Sequence, residues 1–204
     1  MAVHEHSQPS GFHIDLHTDR TESEAAASAQ AGTHVARRAL AVLRVLIGFV
    51  FLWAFVDKLF GLGYATQSGK GWLDGGSPTK GFLSSVSAGP MQSTFHSWAG
   101  DTWVNWLFML GLLGVGGAFV LGVALRPAAV GGALMMAFMW LAEFPPAKHL
   151  ADGTPSGSSN PFTDDHVIYA IIVIALAAAG AGATWGLGRI WAQLPVVRDH
   201  GWLR

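Results

Sequence analysis

The fold is decided by residues 39–62, ALAVLRVLIGFVFLWAFVDKLFGL, a run of apolar residues with few interruptions. About 20 helical residues, rising about 1.5 Å each, are enough to cross the hydrocarbon core of a bilayer. Because backbone groups in lipid must be hydrogen-bonded internally, the run is predicted to be a transmembrane helix. Three further runs have a comparable length, at residues 103–125, 127–144 and 166–190. The sequence therefore predicts an all-α, integral membrane four-helix bundle spanning residues 37–192.

The remaining segments are polar. Residues 1–36 carry scattered charges without an apolar period and are predicted to be a disordered cytoplasmic tail. Four of its histidines, His4, His6, His13 and His17, are either solvated or part of a metal-binding tail. Residues 193–204 form a second cytoplasmic tail. In the first outer loop, Ser77-Pro78 and the amphipathic stretch Met91–Trp98 predict short surface helices.

The composition agrees with a membrane protein and excludes several function classes. Only 12% of the 204 residues are charged, whereas soluble domains usually have about 25%. The net charge of −1 gives no reason to expect a nucleic-acid partner. The absence of cysteine excludes disulfides, cysteine–zinc sites and iron–sulfur clusters. A redox role would therefore depend on a bound cofactor or a quinone, and no metal site is predicted.

The basic residues beside the four runs indicate an orientation, because cytoplasmic loops are enriched in lysine and arginine. One side carries Arg37, Arg38, Arg126, Arg189, Arg198 and Arg204. The other side carries Lys70, Lys80 and Lys148. The first side is therefore predicted to be cytoplasmic, with both termini inside and the protein in the plasma membrane.

Ionisable residues within the apolar runs are costly in lipid and are candidates for a functional site. They are Arg44, Asp57, Lys58 and Glu143. For Arg44 we consider an inward-facing cation, snorkelling to the inner headgroups, or a structural pair. Lys58 and Glu143 lie near the outer ends of the first and third helices, so an ion pair between them is predicted.

These outer-end residues predict one cluster with neighbouring histidines and aromatics. Its members would be Asp57, Lys58, Glu143, His149 and His166, walled by Trp53 and Trp140. Aromatic walls and titratable groups suit a quinone site, with Arg44 and Lys80 as further quinone- or anion-binding residues. An anion-receiving mouth and an ordinary interfacial belt of charges and aromatics are the alternatives. Haem is disfavoured, because no histidine lies in mid-membrane.

Small residues punctuate the helices, and Gly182 and Gly186 have the GxxxG spacing. They indicate either close packing within one bundle or a homodimer interface.

The first helix resembles that of the DoxX/DoxD family of small four-helix membrane proteins, through Arg44-Val45-Leu46-Ile47-Gly48 and Asp57-Lys58-Leu59-Phe60-Gly61. The following segment is similar to the actinobacterial branch, through Gly61-Leu62-Gly63-Tyr64-Ala65-Thr66 and Gly75-Gly76-Ser77-Pro78-Thr79-Lys80-Gly81-Phe82-Leu83. The resemblance covers residues 40–190. It implies a membrane subunit associated with oxidoreductases, and for DoxD-type members the membrane subunit of thiosulfate:quinone oxidoreductase, which sits beside a second small subunit.

The leading hypothesis is therefore a membrane subunit of a quinone-linked oxidoreductase, with quinone as co-substrate and thiosulfate as a candidate donor. Lys58 would attract an anion or polarise a quinone carbonyl, while Glu143, with Asp57 or His166, would exchange protons. Two alternatives remain: a non-catalytic scaffold or assembly subunit of a redox complex, and a small transporter.

Overall fold

The computed structural model describes the backbone of residues 16–204 and the side chains of residues 27–204. Its eight α-helices within that range are α1 (Leu16–Phe60), α2 (Lys80–Ser84), α3 (Gln92–Trp98), α4 (Thr102–Leu121), α5 (Leu125–Glu143), α6 (Asp165–Ala178), α7 (Gly188–Trp191) and α8 (Pro195–Asp199). Short 3₁₀ turns lie at Trp72–Asp74, Ala181–Ala183 and Gly201–Leu203. Over the described residues, the only strand-like pairing is an isolated bridge between His149 and Pro155. The protein is all-helical.

The first helix begins earlier than the sequence predicted. Residues 16–36 were predicted to be disordered, but the structure has them as the start of α1. The alanines between residues 25 and 31 have the highest helix propensity of any residue and favour this extension. The chain divides into two units between Ala36 and Arg37. Residues 1–15, with His4, His6 and His13, lie outside the described residues.

Three helical segments are long and apolar enough to cross a membrane: Ala27–Phe60, Thr102–Leu121 and Leu125–Glu143. The fourth predicted span, residues 166–190, is not one helix. Its helix α6 has 14 residues and ends at Ala178, which gives a length of about 21 Å. Gly180 then adopts a left-handed conformation with φ of 61°, the usual way in which a glycine terminates a helix.

The main core lies between α4, α5 and α6, with α1 packed against it. Its buried side chains include Phe51, Met109, Leu112, Phe119, Met136, Val173 and Leu176. A second, smaller core, consisting of Leu83, Val86, Phe95, Val104 and Ala142, lies beneath α2 and α3. The outward faces of the long helices are also apolar, since Leu107, Leu110 and Leu134 are each more than half exposed.

Helices α1 and α4 approach closely because glycines face each other across them. A Cβ atom built on Gly48 would lie 2.7 Å from the backbone nitrogen of Val120, and one on Gly116 would lie 2.7 Å from that of Leu52. Real Cβ atoms do not come this close to backbone. These glycines therefore allow α1 and α4 to pack closely within the chain.

Candidate functional site

Arg44 is completely buried and hydrogen-bonded to backbone. Its Nη1 donates to the carbonyl oxygens of Phe119 and, across 2.9 Å, Val120. Its Nη2 donates to the carbonyl oxygens of Trp185 at 2.9 Å and Thr184 at 3.4 Å. The first two carbonyls lie in the last turn of α4, where helix carbonyls have no intrahelical partner. The two terminal nitrogens, which were predicted to bind an anion or a quinone, are thus used by backbone, whereas the buried Nε has no hydrogen-bond partner among the described residues. Arg44 does not snorkel.

Asp57 is also buried, and its carboxylate organises the turn that follows α1. Its Oδ2 accepts a hydrogen bond from the backbone nitrogen of Thr66 at 2.8 Å, and its Oδ1 accepts one from that of Tyr64 at 3.3 Å. Two backbone donors therefore satisfy a charge that would otherwise be costly to bury.

Lys58 does not form the predicted ion pair with Glu143. No such pair occurs among the residues whose side chains are described. Instead, Nζ of Lys58 lies 6.0 Å from the ring centroid of Phe108, a cation–π distance. The prediction was wrong because Lys58 faces α4, whereas Glu143 faces the start of α6. The rotation of each helix about its axis, which determines these directions, cannot be derived from the sequence.

The basic side chain beside Glu143 is that of His166, and the two belong to a group that we term the His166 cluster: His166, Glu143, Asp164 and Asp165. Nδ1 of His166 lies 2.9 Å from Oδ2 of Asp164, 3.8 Å from Oδ1 of Asp165 and 4.0 Å from Oε2 of Glu143. The His166 side chain is 7% exposed and that of Glu143 is 50% exposed. A buried imidazole at the meeting point of α5 and α6 therefore contacts three carboxylates.

Local hydrogen bonds fix the chain that enters this cluster. Asp164 caps α6, because its Oδ1 accepts a hydrogen bond from the backbone nitrogen of Val167 at 3.1 Å. Nε1 of Trp140 donates to the carbonyl oxygen of Phe162 at 2.9 Å. Oδ1 of Asn160 accepts from the backbone nitrogens of Phe162 and Thr163, both at 2.9 Å. Trp140, which was predicted to be a quinone wall, thus holds the loop that carries Asp164.

The single predicted cluster is therefore two separate groups. No hydrogen bond or ion pair among the described side chains links Asp57 or Lys58 to the His166 cluster. His149 is exposed, in a turn bridged to Pro155. Lys80 is exposed, with its stem against Gly100.

The His166 cluster also has the spacing of a metal site, which the sequence analysis did not predict. Potential ligand atoms of Glu143, Asp164 and His166 all lie within 4.8 Å of one another. Asp164 was not among the predicted site residues. The run Asp164-Asp165-His166 was the available signal, but the approach of Glu143 depends on how α5 packs on α6.

A groove between α1 and α4, termed the aromatic groove, was missed. Its volume is about 450 Å³, and it is lined by Phe55, Leu59, Trp72, Leu73, Trp106, Met109, Leu110 and Leu113. The rings of Trp72 and Trp106 meet edge to face, with their centroids 4.7 Å apart. Within the described chain, the indole hydrogen bonds come from Trp103, Trp140 and Trp191. Trp72 and Trp106 donate none of these hydrogen bonds.

Trp53, the other predicted wall, lies outside the groove lining. It stacks on Phe49, with ring centroids 5.9 Å apart, and meets Tyr64 edge to face at 5.1 Å. Neither Trp72 nor Trp106 was predicted to be a site residue.

Comparison of the chain with family models, with curated proteins and with solved structures gives no significant match. The proposed function therefore rests on the geometry of the aromatic groove and of the charged groups.

Proposed function

We propose that this chain is an integral membrane subunit of a quinone-linked oxidoreductase and that it binds the quinone ring in the aromatic groove. The observation that carries the proposal is the pair Trp72 and Trp106, whose rings meet edge to face and line an otherwise apolar groove.

The membrane setting is supported by the three long apolar helices and their apolar outer faces. In the proposed topology α6 is a shorter fourth crossing, which completes a four-helix bundle with both termini on the cytoplasmic side of the plasma membrane. The backbone of such a segment needs internal hydrogen bonds throughout. Arg44 meets this requirement where α4 ends and where the chain becomes irregular after α6.

The chemistry of the groove matches that of a quinone. A quinone has a flat ring with two carbonyl acceptors and an apolar tail. Pockets of about 300–1,000 Å³ with aromatic walls and few polar groups are typical of small-molecule sites. The indole N–H groups would donate to a ring carbonyl. Leu73, Leu110 and Leu113 are exposed beside the groove and would let the tail extend into lipid.

The position of Lys58 is consistent with a role at the groove and not with the predicted ion pair to Glu143. In the chain, Lys58 directly precedes Leu59, which lines the groove. Its ammonium lies beside the ring of Phe108, and Phe108 is close in sequence to two further groove residues, Trp106 and Met109. Its positive charge would stabilise negative charge on a reduced ring or attract an anionic donor.

Thiosulfate is the donor suggested by the resemblance to the DoxX/DoxD family. Two thiosulfate ions would form one tetrathionate, joined by a new S–S bond, and release two electrons. One quinone would accept these electrons together with two protons and become a quinol. Water would supply the two protons, because Asp57 is hydrogen-bonded to backbone and His166 to Asp164. A second small subunit, or a second copy of the chain, would complete the complex.

The test compares Trp106→Leu with Trp53→Leu in full-length protein purified with any partner that co-purifies. Quenching of tryptophan fluorescence would report binding of a short-chain quinone analogue. Thiosulfate-dependent quinone reduction would be followed optically. We expect Trp106→Leu to weaken binding at least tenfold and Trp53→Leu to leave it unchanged. Absence of saturable binding to the wild type, or equal effects of the two variants, would refute the groove proposal.

A non-catalytic scaffold is the second candidate function. It is favoured by Arg44 and Asp57, since both buried charges are used in backbone hydrogen bonds. Quinone binding without thiosulfate-dependent turnover in the intact complex would support this candidate over the enzyme.

A further inference from the structure

We propose that Glu143, Asp164 and His166 form a binding site for a divalent transition-metal cation, with Zn²⁺ as the probe of choice. The site is independent of the aromatic groove and does not depend on quinone chemistry.

The negative charge of the His166 cluster favours a bound cation. Nδ1 of His166 has carboxylate oxygens of Asp164, Asp165 and Glu143 within 4.0 Å. No lysine or arginine with a described side chain pairs with these carboxylates. One proton on the imidazole would leave a net charge of −2 in a partly buried place. A divalent cation would neutralise the cluster more completely and would remove the repulsion between the carboxylates.

Two of the proposed ligands are held in position by the surrounding chain. Oδ1 of Asp164 is held by the backbone of α6, so the side chain is fixed with Oδ2 directed at His166. His166 is buried at the start of the same helix, and Trp140 holds the preceding loop through Phe162. Two of the three proposed ligands are therefore rigid before a cation arrives. Glu143 is half exposed, so it provides both the third ligand and a route of entry from solvent.

The types of ligand atom in the cluster indicate which cation would bind. Potential ligand atoms that all lie within 4.8 Å of one another can converge on one ion with modest side-chain movement. A set of one imidazole nitrogen and two carboxylates is a mixed nitrogen and oxygen set. Imidazole favours Zn²⁺ and its neighbours, whereas Mg²⁺ and Ca²⁺ prefer oxygen ligands alone. Three protein ligands leave an open position for water.

The helix ends do not oppose this assignment. The start of α6 carries partial positive charge, which disfavours a cation. The end of α5, where Glu143 is the last helical residue, carries a comparable partial negative charge. The two contributions have opposite signs, whereas the three carboxylates all favour a cation.

The experiment is calorimetric titration of Zn²⁺ into full-length protein in detergent, after treatment with a chelator. We expect saturable binding of one ion per chain and a higher midpoint of thermal unfolding, because a ligand that binds only the folded state stabilises it. Co²⁺ in place of Zn²⁺ would give ligand-field absorption bands that report the coordination directly. The absence of saturable binding would overturn the proposal.

A pair of variants separates coordination from general attraction. Glu143→Gln and Asp165→Asn each remove one negative charge at a similar distance from His166, 4.0 and 3.8 Å. Coordination predicts that Glu143→Gln weakens binding at least tenfold and that Asp165→Asn has a much smaller effect. Equal losses would show that the ion is only attracted to the acidic surface and would refute the site. Both altered side chains are at least half exposed, so the variants are expected to fold.

Discussion

Nη1 of Arg44 donates a hydrogen bond to the carbonyl oxygen of Val120 across 2.9 Å, which ties α1 to the last turn of α4. The other terminal nitrogen reaches Trp185, beyond the end of α6. One side chain thus connects three parts of the chain. The fit is close: a Cβ atom on Gly122 would lie 2.6 Å from Nη1, and one on Gly186 would lie 3.0 Å from Nη2.

Replacement of Arg44 by methionine is expected to destabilise the fold strongly. Hydrogen bonds to charged groups contribute about 1.5–3 kcal/mol each, and buried carbonyls without a partner add a desolvation cost. We expect a loss of at least about 3 kcal/mol, measured as a lower midpoint of thermal unfolding in detergent. Arg38→Met, at an exposed position of the same helix, is the control. An unchanged midpoint for Arg44→Met would contradict the structural role.

The adjacent glycines Gly116 and Gly117 should respond in opposite ways to alanine. At Gly116 the new Cβ would collide with the backbone of α1, 2.7 Å from the nitrogen of Leu52, so the helices would have to separate. At Gly117 nothing lies within 4 Å. Alanine there should be neutral, or stabilising by up to about 1 kcal/mol through helix propensity. The unfolding midpoints of the two variants provide the test, and a tolerated Gly116→Ala would show that the two helices are less closely packed.

The turn after α1 should loosen when Asp57 is replaced by asparagine. An amide offers a single carbonyl oxygen where two backbone donors, Tyr64 and Thr66, are now satisfied. One donor would lose its partner, at a cost of about 1–3 kcal/mol. Hydrogen exchange at these two backbone amides should accelerate. In the control Asp74→Asn, at an exposed acidic residue, exchange at these amides should be unchanged.

Asp152, in the exposed loop between α5 and α6, should titrate at low pH. The Thr154 hydroxyl and then the Thr154 backbone nitrogen donate to its carboxylate, which lowers the pKa of Asp152 below the usual 3.8. The folded state therefore binds this proton more weakly than the unfolded state. The stabilisation of the turn is present above pH 3.8 and is lost as the pH falls through the lowered pKa.

Removal of the hydroxyl donor in Thr154→Val should raise the pKa of Asp152 towards its ordinary value. The carboxyl carbon shift, followed by NMR as a function of pH, measures the midpoint in both proteins. Equal midpoints would exclude the hydroxyl as the main cause.

The long helices were predictable because length and apolar composition alone determine which segments can cross a bilayer. The break after Ala178 was not, because small and apolar residues continue past it and only the structure shows that Gly180 adopts a left-handed conformation. The proximity of Glu143 and His166 follows from their positions at the facing ends of consecutive helices. The direction in which Lys58 points depends on the rotation of α1 about its axis. The sequence does not reveal this rotation, because apolar residues occur on all sides of that helix. Side-chain pairs across helices therefore required the structure.

The shortness of α6 has a consequence for the lipid around the protein. In the proposed topology α6 is a crossing of about 21 Å, which is shorter than the roughly 30 Å of an average hydrocarbon core. Such hydrophobic mismatch is relieved when the bilayer thins locally or when interfacial residues extend towards the headgroups. Trp185 and Ile190 are exposed just beyond this helix. In a bilayer they would lie among displaced acyl chains, so the lipid annulus would be asymmetric, with a dimple on the side of α6, and the protein would favour thinner membrane regions.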